Sequence, residues 1–316
     1  MMIIPKDNGY HRNFQGHDRF DVPEPIYRVT GGNGGESYLI IGSEKTALLD
    51  CGMACWSREL ISNIHEKLDP LGRPLDCVLM SHTHYDHIGA LPYIIDEWPE
   101  VKACGASKAL QVFGSEIARQ TMRELGDNAS DLYGVDFGPV KTDGLRVDIV
   151  MRDGDEIDLG DLKAVFYEAK GHTDCSASYM IEPMKVLFLS ESIGQYQGPG
   201  KMDVSVLKSF DQSLEAAERM RKLGANRIVS MHYGFIPEYY NDRYFEEYIK
   251  EAGWERELIK KCIKKGLSDQ KISDIHDIFY WEEDLRQAHP YDAYHMNTMI
   301  TIKLVRKETE EENGKL

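Results

Sequence analysis

The 316-residue chain has no run of 18 or more apolar residues, so no segment is long enough to span a bilayer as a helix. It has no CxxC pair. Cys51, Cys55, Cys77, Cys104, Cys175 and Cys262 are scattered, which suits small core residues of a reduced protein better than a disulfide framework. The opening stretch MMIIPKDNGYHRNF lacks a basic region followed by an apolar one, so no secretory leader is expected and a cytoplasmic location is. Basic residues are also short, 37 against 53 acidic ones, for a formal charge of −16. That imbalance argues against a nucleic-acid backbone or an anionic membrane surface as partner and favours a small-molecule substrate.

What the chain does have is a regular succession of short apolar runs. IYRVTGG, ESYLIIG and TALLDCG, between residues 26 and 52, are divided by Gly-rich and charged turns and predict hairpin strands. Helical spacing follows at 55–68, a buried strand at 76–81, a helix at 87–98 and a long helix at about 107–126. Residues 128–144 are expected to form a loop that reaches over a cleft or simply connects two elements. A second set of strands is predicted at 146–151, in EIDLG, and at 162–169, 177–182, 185–190 and 227–232, with a helix over 211–223 before the last. Strands in each half followed by helices predict an α/β fold with two sheets sandwiched between helical layers. The catalytic domain is placed at 1–236 and a helical C-terminal extension at 237–316, able to cap a cleft or form a homodimer contact. The tail beyond about 307, ending ETEEENGKL, has little to bury and is expected to be disordered.

One stretch stands apart. SHTHYDHIGA places His82, His84, Asp86 and His87 within six positions, on the loop that leaves a predicted strand, where a rigid scaffold presents functional groups. Imidazole and carboxylate together are the ligands of zinc and of iron or manganese at mixed sites. On extended chain, residues two apart point the same way, so His82 and His84 can share one ion. Asp86 and His87, entering the helix, can reach a second ion roughly 3.5–4 Å away, the spacing of two-metal hydrolytic centres. Further ligand types end other predicted strands: His172 in AKGHTD, Glu191 in LFLSES and His232 in VSMHYG.

Together these motifs resemble the metallo-β-lactamase superfamily over residues 36–232: LLDCG with Asp50, HTHYDH, GHT with His172, a carboxylate after LFLS and a strand-end His232. The resemblance implies an αββα sandwich carrying two divalent metal ions, with zinc expected and iron or manganese compatible. It implies that His82, His84 and His172 hold one ion, that Asp86, His87 and His232 hold the other, and that Glu191 bridges them. The family commonly has aspartate at the last position, so the longer glutamate requires a shifted backbone, a different metal spacing or a non-bridging role. Asp50 would orient the histidine loop through hydrogen bonds.

Such a centre implies hydrolysis of a small ester, thioester, lactone or related substrate, as in the glyoxalase II-like and lactonase-like members, with Asp86 orienting the water and shuttling its proton. The alternative is an iron-dependent oxidoreductase on the same fold, of diiron or dioxygenase type; a sulfatase or nuclease fits less well. Tyr196 and Tyr233 are candidate substrate contacts, each with a packing alternative, and so is Tyr85 inside the motif. HPYDAYH, with His289, Tyr291, Tyr294 and His295, is either a turn and helix start or a segment covering the site. His11, His17, His65 and His276 have no motif around them.

Overall fold

The computed structural model describes residues 18–198, 200–281 and 290–314. A first sheet of six strands runs in chain order: β1 (Ile26–Arg28), β2 (Tyr38–Ile41), β3 (Thr46–Leu49), β4 (Cys77–Leu79), β5 (Lys102–Ala106) and β6 (Ile149–Met151). The first three pair antiparallel and β3 through β6 pair parallel. Parallel pairing needs crossovers. These supply α1 (Ser57–Leu68), the single turn α2 (Tyr85–Ile88), α3 (Leu91–Glu97), α4 (Ser107–Gly114) and α5 (Glu116–Leu132).

The second sheet contains β7 (Glu156–Asp158), β8 (Lys163–Glu168), β9 (Ala177–Glu182), β10 (Val186–Leu189), β13 (Arg227–Ser230) and β14 (Gly234–Ile236), in the order β14-β13-β10-β9-β8-β7. Between β10 and β13 lie the small pair β11 (Gln195–Tyr196) and β12 (Met202–Asp203) and the helix α6 (Phe210–Lys222). The C-terminal extension adds α7 (Asn241–Lys264), α8 (Asp269–Tyr280) and α9 (Tyr291–Gly314).

Alternation along the strands explains the layering. In the second sheet Phe166, Tyr179, Phe188 and Val229 enter one buried cluster, while their neighbours Val165, Met180, Leu187 and Ile228 enter another. Successive side chains of a strand face opposite ways, so a sheet apolar on both faces must be covered on both. The inner face meets the first sheet, where the Tyr38 and Phe188 rings lie 5.2 Å apart and the Tyr179 hydroxyl donates to the Met80 carbonyl. The outer face is covered by α6, α7 and α8, through Phe210, Tyr244, Tyr248 and Ile272. Each such side chain contributes about 1.5–3 kcal/mol on burial. The fold is the predicted α/β sandwich with C-terminal helices. No helix among the described residues is long and apolar enough to cross a membrane.

Local expectations shift in five places. The helix predicted at 87–98 is two, the single turn α2 and then α3, parted by a turn at Gly89–Ala90. The helix predicted at 107–126 is two, because the Ser115 hydroxyl accepts the Ala118 amide and starts α5 afresh after Gly114. The strand predicted at 146–151 is short, because Arg146 and Asp148 turn to side-chain bonds with the Val101 carbonyl and the Ala103 amide. Within 128–144, the start is helical through Leu132 and Val140 packs at Gly126. The expected disordered tail is instead helix through Gly314. Arg256 bonds Glu308 at 2.9 Å, Lys260 bonds Glu312 at 2.7 Å, and Thr309 is buried, so charges that look purely solvated in the sequence have partners on α7.

Candidate metal centre

The cluster is assembled at one end of the sandwich, from loops that leave the parallel strands β3, β4, β10 and β13 and from the loop of the antiparallel β8–β9 pair. This is where open α/β sheets place ligands. Asp50 follows β3, His82 and His84 follow β4, Asp86 and His87 lie on α2, and His172 is on the β8–β9 loop. Glu191 follows β10 and His232 follows β13. All seven residues expected to hold metal come together. The ligand atoms of His82, His84, His172 and Glu191 lie within 4.8 Å of one another, and so do those of Asp86, His87, Glu191 and His232.

Glu191 belongs to both sets. Its Oε1 lies 2.5 Å from His87 Nε2 and 2.6 Å from His232 Nε2, and its Oε2 lies 3.2 Å from His172 Nε2. A 3-10 turn over Glu191–Ile193, started by the Ser190 hydroxyl, sets the carboxylate at this depth. Gln195 Nε2 donates to Oε2 at 2.8 Å and fixes its rotation.

The backbone and its neighbours aim each ring. Asp50 sits at φ 50°, a left-handed conformation that aspartate tolerates better than most residues. Its carboxylate accepts the Ser81 amide at 2.7 Å and the Ser81 hydroxyl at 2.6 Å, and lies 2.8 Å from His87 Nδ1. With the Ser81 proton given to Asp50, the Ser81 oxygen, 3.0 Å away, accepts from His82 Nδ1. His172 Nδ1 donates to the Ser205 carbonyl at 2.6 Å. These partners assign the Nδ1 protons of His82 and His172 outward, leaving their inner nitrogens as lone pairs turned into the cluster.

Lone pairs so arranged are unfavourable unless a proton or a Lewis acid stands between them. Among the described residues His82 Nε2 is buried with no hydrogen-bond partner, and His84 Nδ1 lies 2.9 Å from His172 Nε2. Such an orphaned buried nitrogen costs about 1–3 kcal/mol, a cost that a divalent ion there would remove. The donor set therefore fits metal. Burial, then the neighbouring His172, pull the His84 pKa down to about 3. Burial likewise holds His82 well below the usual imidazole range. Burial opposes charge on His87 too, but Asp86, Glu191 and Asp50 outweigh it and raise its pKa. Burial would raise Glu191, but the surrounding imidazoles, His232 foremost, hold it well below the carboxylate range.

A cleft of about 340 Å³ opens over the cluster, reaching His84, Asp86 and Glu191. Its walls are not those expected from the sequence. Tyr85 lines it, but Tyr196 and Tyr233 are buried in the core with rings 4.9 Å apart, outside its lining. Nor does the 128–144 segment line it; α4 and α5 do. From HPYDAYH, Tyr294 turns to His276 and His295 to Ser273, while the cleft receives Ala293 and, beyond the motif, Met296 and Asn297. His289, His11 and His17 lie outside the described residues. His65 pairs with Asp69 and Glu97 at the surface, and His276 is held between Glu255 and Tyr294.

Sequence reasoning passed over Gly35, Ser81, Gln195 and Ser205. Gly35 carried a faint signal in GGNGG: a Cβ there would stand 2.7 Å from His87 Cε1, so only glycine leaves the ring its place.

The model of the metallo-β-lactamase superfamily matches residues 30–232, and the chain belongs to that superfamily. It is 24% identical to the metallo-beta-lactamase fold-containing protein ST1585 of Sulfurisphaera tokodaii, over 75% of this chain and 91% of that one. It is 24% identical to the human acyl-coenzyme A thioesterase MBLAC2, over 77% of this chain and 88% of that one. A rubredoxin-oxygen oxidoreductase of Megalodesulfovibrio gigas is 28% identical over 49% of this chain, which spans only 33% of that protein. The structure of the metallo-beta-lactamase family protein TTHA1429 from Thermus thermophilus superposes with a TM-score of 0.62 at 16% identity, over 92% of this chain and 94% of that one. The protein is thus a metallo-β-lactamase-fold protein with a metal-binding His/Asp/Glu cluster.

Proposed function

We propose that the protein is a binuclear metal-dependent hydrolase of small esters, thioesters or lactones. The observation that carries this reading is Glu191, whose two carboxylate oxygens each face one set of imidazoles. Two divalent ions, zinc by preference, would be held by His82, His84 and His172 on one side and Asp86, His87 and His232 on the other, with Glu191 between. When bound, such ions supply a Lewis acid and lower the pKa of water towards neutrality. Asp86 lines the cleft, with Oδ2 3.6 Å from His87 Nε2 and 3.4 Å from His232 Nε2. It is placed to take the proton from the attacking water and return it to the departing oxygen or sulfur. Water oxygen bonds to the carbonyl carbon and the C–O or C–S bond breaks, so an ester or thioester leaves as acid plus alcohol or thiol and a lactone as a single hydroxy acid. Asp50 and Ser205 keep the rings in the orientation the metals need.

The breadth of the match to a thioesterase supports this reading more than the match to an oxidoreductase, of which the chain spans a third. The second reading, an iron-dependent oxidoreductase, draws on that same oxidoreductase and on the suitability of the ligands for iron. Metal analysis with turnover of an aryl ester and a lactone tests both: two zinc per chain with hydrolysis is expected, and an iron protein that consumes oxygen and hydrolyses neither would refute the hydrolase. The net charge and the size of the cleft, about 340 Å³, support a small-molecule substrate over nucleic acid. Six free, buried thiols support work in a reducing compartment such as the cytoplasm.

A further inference from the structure

The lining of the cleft combines an apolar wall with charged groups. Met122 and Leu125 on α5, Val112 on α4 and Met296 on α9 give it an apolar wall. Met122 and Leu125 are three residues apart and share one helical face. Met296 is 37% exposed, so the wall is open to an incoming chain. Met296 belongs to the C-terminal extension, which therefore shapes the binding space.

Two lysines also line the cleft, Lys108 and Lys208. Both are exposed. Lys108 is four residues before Val112, hence on the same face of α4, and its ammonium bonds the neutral Gln111 side chain at 2.7 Å. Lys208 leads into α6, and its amide donates to the Gly171 carbonyl beside His172. Neither lysine has an ion pair among the described residues, in a chain of charge −16 where Lys163, Arg219 and Arg221 all have carboxylate partners. Asp174 is the opposing carboxylate in the lining outside the metal cluster, leaving two cations against one anion.

We infer that the substrate is an acyl ester or thioester that combines an apolar acyl chain, held along Val112, Met122, Leu125 and Met296, with an anionic group held by Lys108 and Lys208. This rests on the hydrolase reading and adds the substrate class to it. Each methylene moved from water onto the wall should raise kcat/KM by up to about fourfold. The anion is drawn in by unpaired ammonium groups, and that attraction weakens with added salt.

Zinc-loaded enzyme is assayed by thiol release with acetyl, butyryl and hexanoyl thioesters of neutral N-acetylcysteamine. The anion is then added in two places: on the acyl end as succinyl and adipoyl thioesters, and on the leaving group as thioesters of 3-mercaptopropionate. Hexanoyl should exceed acetyl at least tenfold, and an anion in one of the two positions should raise kcat/KM about tenfold over its neutral counterpart. The position that responds identifies which part of the substrate the lysines hold. In a Lys108→Gln, Lys208→Gln double variant the anionic-to-neutral ratio should fall about tenfold. Asp174→Asn should move the ratio the other way. Hydrolysis that favours neither chain length nor charge overturns this inference alone, as does a charge preference that survives the double variant. If no ester, lactone or thioester is hydrolysed with two metals bound, the hydrolase reading itself fails.

Discussion

The carboxylate of Asp50 lies 2.8 Å from Nδ1 of His87, and both side chains are fully enclosed. Thirty-seven residues apart in sequence, the pair ties the end of β3 to the short helix that carries Asp86 and His87. The same carboxylate accepts the Ser81 amide and hydroxyl and so orients both the His87 and the His82 rings. Asp50→Ala is expected to weaken metal binding about 10–100-fold, measured by competition with a chromophoric chelator. Unchanged affinity would remove Asp50 from the support of the site.

Glu191 is tested by graded truncation. Glu191→Ala should release or weaken one of two metals, because one carboxylate serves both sets of ligands, whereas Glu191→Asp should retain two with lowered affinity. Metal stoichiometry by elemental analysis reads the outcome directly. Two metals held at full affinity in the alanine variant would show that Glu191 is not a ligand.

Gly35→Ala probes the close approach to His87. The added methyl would meet both the ring and, at 2.8 Å, the Asp86 carbonyl. We expect the loss of the ion held by Asp86, His87 and His232. Gly253 is the control: it lies in α7 with nothing within 4 Å of an added Cβ, so Gly253→Ala should keep both metals and gain up to about 1 kcal/mol in stability.

Asp203 makes stability depend on pH. Burial, then the nearby Glu255 carboxylate, raise its pKa to about 7, against about 3.9 in an unfolded chain. The folded protein therefore holds this proton more tightly. Its contribution is fully present below about pH 4 and is lost progressively as pH rises to about 7, to the extent of ~4 kcal/mol. Asp203→Asn cannot ionise, so its melting temperature should fall less than that of the wild type between pH 5 and pH 8. Parallel melting curves would contradict the assignment.

Much of the centre was legible along the chain. His82, His84, Asp86 and His87 are close because six residues of loop and helix start cannot place them far apart. His172, Glu191 and His232 could be picked out because each follows an apolar run, and strand ends gather where parallel strands finish. The sandwich was legible for a related reason: a sheet covered on both faces writes near-continuous apolar segments.

The sequence by itself therefore determined the ligand types and the layered fold, since both follow from local spacing and hydrophobic pattern. Only the tertiary structure decided which neighbours serve the centre. On β11, Gln195 bonds Glu191 whereas the adjacent Tyr196 packs on Tyr233 in the core; one residue of strand reverses the direction of a side chain, and the sheet's placement, not composition, sets which side faces the metals. The acidic tail behaves likewise: Glu308 and Glu312 are exposed charges until α7 brings Arg256 and Lys260 against them. Contacts between residues 37 to 145 positions apart depend on how sheets and helices pack, and no local pattern encodes that.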